Sequence, residues 1–146
     1  MKSNHNKGFS LIELMVAVVV VGILAAIAMP SYSSHIIRGA RAAAQTELLG
    51  LSSLQEKIYL NSNAYASSVT AGYNGTTSGG LGNTSGRTSD KKYLFTLSGV
   101  GQTYTLIAKP ASGIQQTGDG CLTVQENGLR QWYQNNDACT GTATSW

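Results

Sequence analysis

Between Phe9 and Met29 the chain carries one ionisable side chain, Glu13, in a stretch that is otherwise almost wholly apolar. As a helix this stretch spans about 31 Å, close to the ~30 Å hydrocarbon thickness of a bilayer. It is long enough to cross. A secretory signal peptide would have a shorter apolar core followed by a small-residue cleavage site, and Pro30-Ser31-Tyr32 does not suit one. The spacing therefore predicts an anchor that is retained. Lys2 and Lys7 precede it with no acidic residue among the first eight. The positive-inside tendency then places the amino end in the cytoplasm and everything beyond Pro30 on the far side of a single-pass segment.

The 146 residues carry 10 Lys and Arg against 7 Asp and Glu, and only 12% of them are charged. That fraction excludes a disordered polyelectrolyte and a histone-like nucleic-acid binder, and the length suits one modest domain beside the anchor. Cys121 and Cys139 are the only cysteines. In an exported domain such a pair closes a disulfide, whereas two cysteines with His5 and His35 far upstream make no four-ligand zinc set.

Beyond Pro30 a helical pattern resumes, with Ala40, Ala44, Leu48, Leu51, Leu54 and Ile58 at three- and four-residue steps. One helix is predicted from about Phe9 to Leu60, kinked or loosened at Pro30 and terminated by Asn61, Ser62 and Asn63. Residues 61–90, above all Gly72 to Ser89, are rich in Gly, Ser, Thr and Asn and read as a long surface connection. Alternation begins at Tyr93. Tyr93, Phe95 and Leu97 share one face of a strand, and Tyr104, Leu106 and Ala108 one face of the next. Asn127-Gly128, a preferred type I′ turn pair, joins Cys121–Gln125 to Leu129–Tyr133 in a second hairpin. The expected fold is α+β: four antiparallel strands covered by the amphipathic helix half, with the apolar half protruding.

Lys7-Gly8-Phe9-Ser10-Leu11-Ile12-Glu13-Leu14, followed by the apolar run and Pro30, resembles the class III signal of type IV pilins and related pseudopilins. Gly118-Asp119-Gly120-Cys121, Cys139 and Trp146 resemble the minor-pilin group that includes a DNA-uptake receptor. The resemblance implies a leader at 1–8, cleavage by a prepilin peptidase between Gly8 and Phe9, and N-methylation of Phe9. It also implies an assembly helix at 9–30, an amphipathic half at 31–61 and a globular head at 62–146. The implied partners are other pilin subunits, major and minor, the inner-membrane assembly platform and the lipid bilayer, with no cofactor. The subunit would sit in the inner membrane, head in the periplasm, until it joins an extracellular pilus that serves adhesion, twitching motility or DNA uptake. A type II secretion pseudopilin is an alternative, which the terminal cysteine pair disfavours.

Within this frame Glu13 is the assembly residue. A lone carboxylate at bilayer depth costs about 2.5–3.5 kcal/mol, so it needs a partner, and the positive amino terminus of a neighbouring subunit would provide one. Such a pair adds little net stability but penalises wrong register strongly. Gly22 and Ala26 make a small-x-x-x-small step, and Gly22 to Pro30 is where the helix would lose regularity in a filament. No metal set or enzymatic constellation is legible, and Gly79, Gly80, Gly82 and Gly86 lack the spacing of a phosphate cradle. Without Lys2 and Lys7 the balance falls to eight cations against seven anions. DNA contact then has to rest on a local patch, for which Arg87, Lys91, Lys92, Lys109 and Arg130, with Tyr93, Tyr104, Trp132 and Tyr133, are the candidates.

Overall fold

The computed structural model describes residues 8–99 and 101–146, the side chains of Pro30 and Ser31 excepted. Helix α1 runs from Leu11 to Ser62 without interruption, including position 30. It ends where Asn63 adopts a left-handed conformation (φ 51°) and donates its amide to the Tyr59 carbonyl at 2.8 Å. Asn tolerates that conformation better than most residues, which is why this asparagine stops the helix. By internal contacts the chain divides after Ile36. In the first unit the large apolar side chains from Leu11 to Met29 are all exposed.

The second unit is the head. Its sheet contains β1 (Tyr93–Ser98), β2 (Thr105–Pro110), β3 (Gly120–Gln125), β4 (Arg130–Gln134) and β5 (Thr144–Ser145), antiparallel and in sequential order. The fifth strand adds to the four expected. Thr144-Ser145 has no apolar alternation to mark it; Trp146 holds it in place by donating its indole N–H to the Gln131 carbonyl at 2.9 Å.

Ala40, Ala44, Leu48, Leu51 and Ile58 of α1 are buried against the inward row Tyr93, Phe95, Leu106, Ala108, Leu122 and Val124, as the helical spacing requires. Leu54 is only partly buried. The neighbouring Gln55 is fully buried instead, because its amide accepts from the Ala66 amide at 2.9 Å and donates to the Ala66 carbonyl at 3.0 Å. It thus satisfies the backbone of the connection that follows the helix.

That connection is less superficial than its composition suggests. Tyr65, Ala66, Val69 and Leu81 enter the core. A Cβ on Gly80 would lie 2.6 Å from the Ser68 carbonyl oxygen and 2.7 Å from that of Ala71, so this glycine serves close backbone packing. The loop also blunts one sheet edge, since Thr88 N–H donates to Tyr93 O and Phe95 N–H to Gly86 O.

The β3–β4 hairpin forms with a different turn from the one expected. Only Gly128 has a positive φ (80°), and its amide donates to Gln125 O while Gln125 N–H donates to Leu129 O. This is a three-residue loop with glycine in the left-handed position, and not a type I′ turn, which needs positive φ at both Asn127 and Gly128. Asn127 instead uses its side-chain oxygen to accept from the Leu129 amide at 2.9 Å.

Candidate functional site

Two regions carry the candidate residues. On the helix, Glu13 lies exposed in the first turn, where the partial positive charge of the helix terminus favours a carboxylate by about 0.3–1 kcal/mol. Phe9 is exposed, and so is Gly8 beside it. Among the described residues a Cβ on Gly22 would meet nothing within 4 Å, so none of them requires glycine there. By length and composition the helix suffices to cross a membrane. Lys2, Lys7 and the Pro30 side chain lie outside the described residues.

In the head, register sorts the candidate cations. Leu94 pairs with Lys109 across β1 and β2, and Arg87 bridges Leu94 from the connection. Paired residues share a face. Arg87, Leu94 and Lys109 therefore form one cross-strand row on the face opposite α1, with Lys92 two residues before Leu94 on the same side. One residue further along the β2–β3 register lies Cys121, which pairs with Tyr133. Lys91 occupies a turn in the left-handed conformation (φ 63°).

Arg130 does not belong to this set. It pairs with Val124, a core residue, and so points to the helix side of the sheet, with its guanidinium 5.6 Å from the Trp146 ring. Trp132 and Tyr104 are likewise turned to that side, packed with or within the core, as is the fully buried Tyr93. Of the four candidate aromatics only Tyr133 joins the outer face, because strand alternation separates neighbours in sequence.

No strand residue is acidic. The acidic side chains of the head all accept hydrogen bonds from their own surroundings: Glu47 from Ser89 N–H, Glu56 from Tyr65 and Tyr104, Asp90 from Thr88 and Lys92 N–H, and Glu126 from Tyr104 N–H. Asp119 accepts from Arg41 and Asp137 from Gly118 and Gly120 amides. The carboxylates are thus drawn into structural roles, and the outer face presents Arg87, Lys92 and Lys109 among Thr, Ile and Gln side chains.

The Cys121–Cys139 disulfide is present, with the cysteines 18 residues apart. Sequence reasoning missed the cluster next to it. Asp119 accepts from Arg41 Nε at 2.8 Å, from Gln116 Nε2 at 2.8 Å, from Arg41 Nη2 and from the Tyr93 hydroxyl. Arg41 also sits 3.8 Å over the Trp132 ring. The carboxylate holds the guanidinium above its already high range, and burial, then the Asp119 hydrogen bond, pushes the Tyr93 phenol well up. The one legible signal was Asp119 itself, flanked by two glycines. Arg41 and Tyr93 are too distant in sequence to be matched to it.

An apolar amino-terminal helix that continues into the core of an α+β head, with one disulfide near the carboxy end, defines a pilin-type subunit. The chain belongs to the family described as "Type IV minor pilin ComP, DNA uptake sequence receptor", whose model matches residues 30–125. Residues 3–29 match the prokaryotic N-terminal methylation motif.

Among individual proteins, it is 39% identical over 62 residues to the type IV major pilin protein PilA of Myxococcus xanthus, covering 42% of this chain and 28% of that one. It is 42% identical over 64 residues to a fimbrial protein of Pseudomonas aeruginosa, covering 44% of this chain and 42% of the relative. With the type IV major fimbrial protein FimA of Dichelobacter nodosus it shares 62% identity over 32 residues, 22% of this chain and 20% of FimA. The chain thus spans less than half the length of these relatives.

Proposed function

We propose that the chain is a minor subunit of a type IV pilus. Its helix serves first as an inner-membrane anchor, with the head in the periplasm, and then packs among other pilin subunits in the filament. Prepilin peptidase would cut between Gly8 and Phe9, and the methylated amino group of Phe9 would join a neighbouring helix. Glu13 is the natural partner for that amino group. The carrying observation is the bare apolar surface from Leu11 to Met29, which the described chain leaves uncovered and which both a bilayer and a bundle of like helices would bury. Gly22 supports the reading, because no contact among the described residues demands it. Replacing Glu13 by Ala should abolish or sharply reduce recovery of the subunit in sheared filaments while leaving it in the membrane fraction; unchanged incorporation would remove the pairing role.

A second reading, that the head contacts duplex DNA during uptake, is favoured by the row Arg87, Leu94 and Lys109 beside Lys92 and Tyr133. A face without strand carboxylates suits a phosphate backbone. Family membership supports this reading, and supports a pilin over a secretion pseudopilin. Full-length protein in detergent should bind duplex DNA with an affinity that falls as salt rises. Arg87→Ala and Lys109→Ala should each weaken binding and flatten the salt slope by about one, whereas Arg130→Ala, on the other side of the sheet, should not. Lack of binding at low salt would discard DNA contact and leave the filament reading intact.

A further inference from the structure

Gly118-Asp119-Gly120 is bonded from two sides. On the helix side, the Asp119 carboxylate holds Arg41, the Tyr93 hydroxyl and Gln116, and its side chain is 6% exposed. Gln116 also donates to the carbonyl of Ile37 at 3.2 Å, a second tie to α1. On the opposite side, the Gly118 and Gly120 amides donate to the two oxygens of Asp137, at 2.7 and 3.0 Å. Cys121 N–H then donates to Asn136 O at 3.0 Å, and the disulfide fixes Cys139.

The glycines make this arrangement sterically possible. Gly118 and Gly120 have φ of 86° and 105°, and a Cβ on Gly120 would lie 2.2 Å from the Tyr133 carbonyl oxygen. A three-residue segment thus connects the helix to the loop 136–139 through two carboxylates, Asp119 bonded to α1 and Asp137 belonging to the loop.

The geometry points to Asp119 as a positioning residue through which α1 sets the place of the disulfide-closed loop on the head. The disulfide limits how far Cys139 can travel from Cys121, and the backbone of 118–120 is held locally by Asp119 N–H to Gln116 O at 3.1 Å, by the Trp132 indole N–H to Asp119 O at 3.1 Å and by the pairing of Gly120 with Gln134. The Asp119 carboxylate adds the charged tie that fixes this segment to Arg41 of α1 and keeps the amides of Gly118 and Gly120 aimed at Asp137. A displacement of Arg41, one helical turn past Ile37, is then felt at residues 136–139. This coupling does not rest on DNA binding or on the filament reading, because its readout lies in the backbone of the subunit itself.

Hydrogen exchange of the full-length protein in detergent tests the inference. In Asp119→Asn, the amides of Gly118, Gly120, Cys121 and Asn136 should exchange at least tenfold faster, while those of β2 and of residues 48–58 in α1 keep their wild-type protection. Arg41→Gln should reproduce the pattern, and Arg41→Lys, which keeps the charge but not the planar fork, should fall between. Uniform acceleration across the head would mean that the pair contributes stability only, and unchanged exchange at 118–121 would mean that the disulfide suffices; either result overturns the inference. Should Asp119→Asn fail to fold, Arg41→Gln and Arg41→Lys decide the question by the same amides.

Discussion

At the scale of single residues, the head shows two opposite uses of glycine. Gly50 lies in the exposed middle of α1 with open space around its Cβ position. Since glycine costs about 0.5–1 kcal/mol relative to alanine in a helix, Gly50→Ala should raise the stability of the head by about that amount in urea titration. A loss of stability would contradict the open space at this position. Gly120 is the reverse case, with φ of 105° and a backbone oxygen 2.2 Å from where a Cβ would sit. Gly120→Ala should lower the stability of the head by well over the ~1 kcal/mol of an ordinary glycine substitution, and a neutral effect would contradict the close approach to Tyr133.

Residue type signalled the second case better than the first. Gly120 stands beside a cysteine in a strand, where glycine usually marks a bulge or a close approach. The structural role of Gln55 had no such sign. Its partner, Ala66, contributes only backbone atoms, and a backbone acceptor leaves no trace in sequence.

At the scale of elements, periodicity located the helix within two residues at either end and placed both hairpins. These are the features that apolar spacing encodes directly. Turn geometry and β5 escaped because they depend on one backbone torsion at Asn127 and on a single indole hydrogen bond from Trp146. The candidate cations were legible as a set but not as a surface, since only the strand register shows that Arg87 and Lys109 share a face and that Arg130 lies on the other. The disulfide joins the start of β3 to a segment with no regular structure of its own. With the cysteines 18 positions apart, removal of the disulfide in Cys121→Ala/Cys139→Ala should cost the head about 3 kcal/mol. Urea titration of the double variant checks this, and an unchanged midpoint would mean that Asp137 and Asp119 hold the loop unaided.

At the scale of the whole molecule, the buried tyrosines set an alkaline limit on the head. Burial raises the Tyr104 phenol from its ordinary value of 10.0 to about 12, and burial likewise raises Tyr65 and, further, Tyr93. The folded head keeps protons that the unfolded chain gives up near pH 10, so the stabilisation is complete below that pH and is lost as pH rises through about 12. The urea midpoint should therefore fall between pH 10 and 12, less steeply in Tyr104→Phe. A midpoint that held constant there would show these phenols to be solvated.

The largest property of the molecule is the one its sequence states most openly. A helix that is amphipathic from Ala40 to Ile58 and, Glu13 apart, apolar on every side from Leu11 to Met29 has two different surroundings to satisfy, and the head supplies only one of them. Mass spectrometry of pili sheared from cells that carry prepilin peptidase tests this most directly. The chain should be recovered in the filament fraction, beginning at methylated Phe9, with Cys121 joined to Cys139. Recovery only from the soluble fraction, as a monomer still bearing residues 1–8, would contradict it.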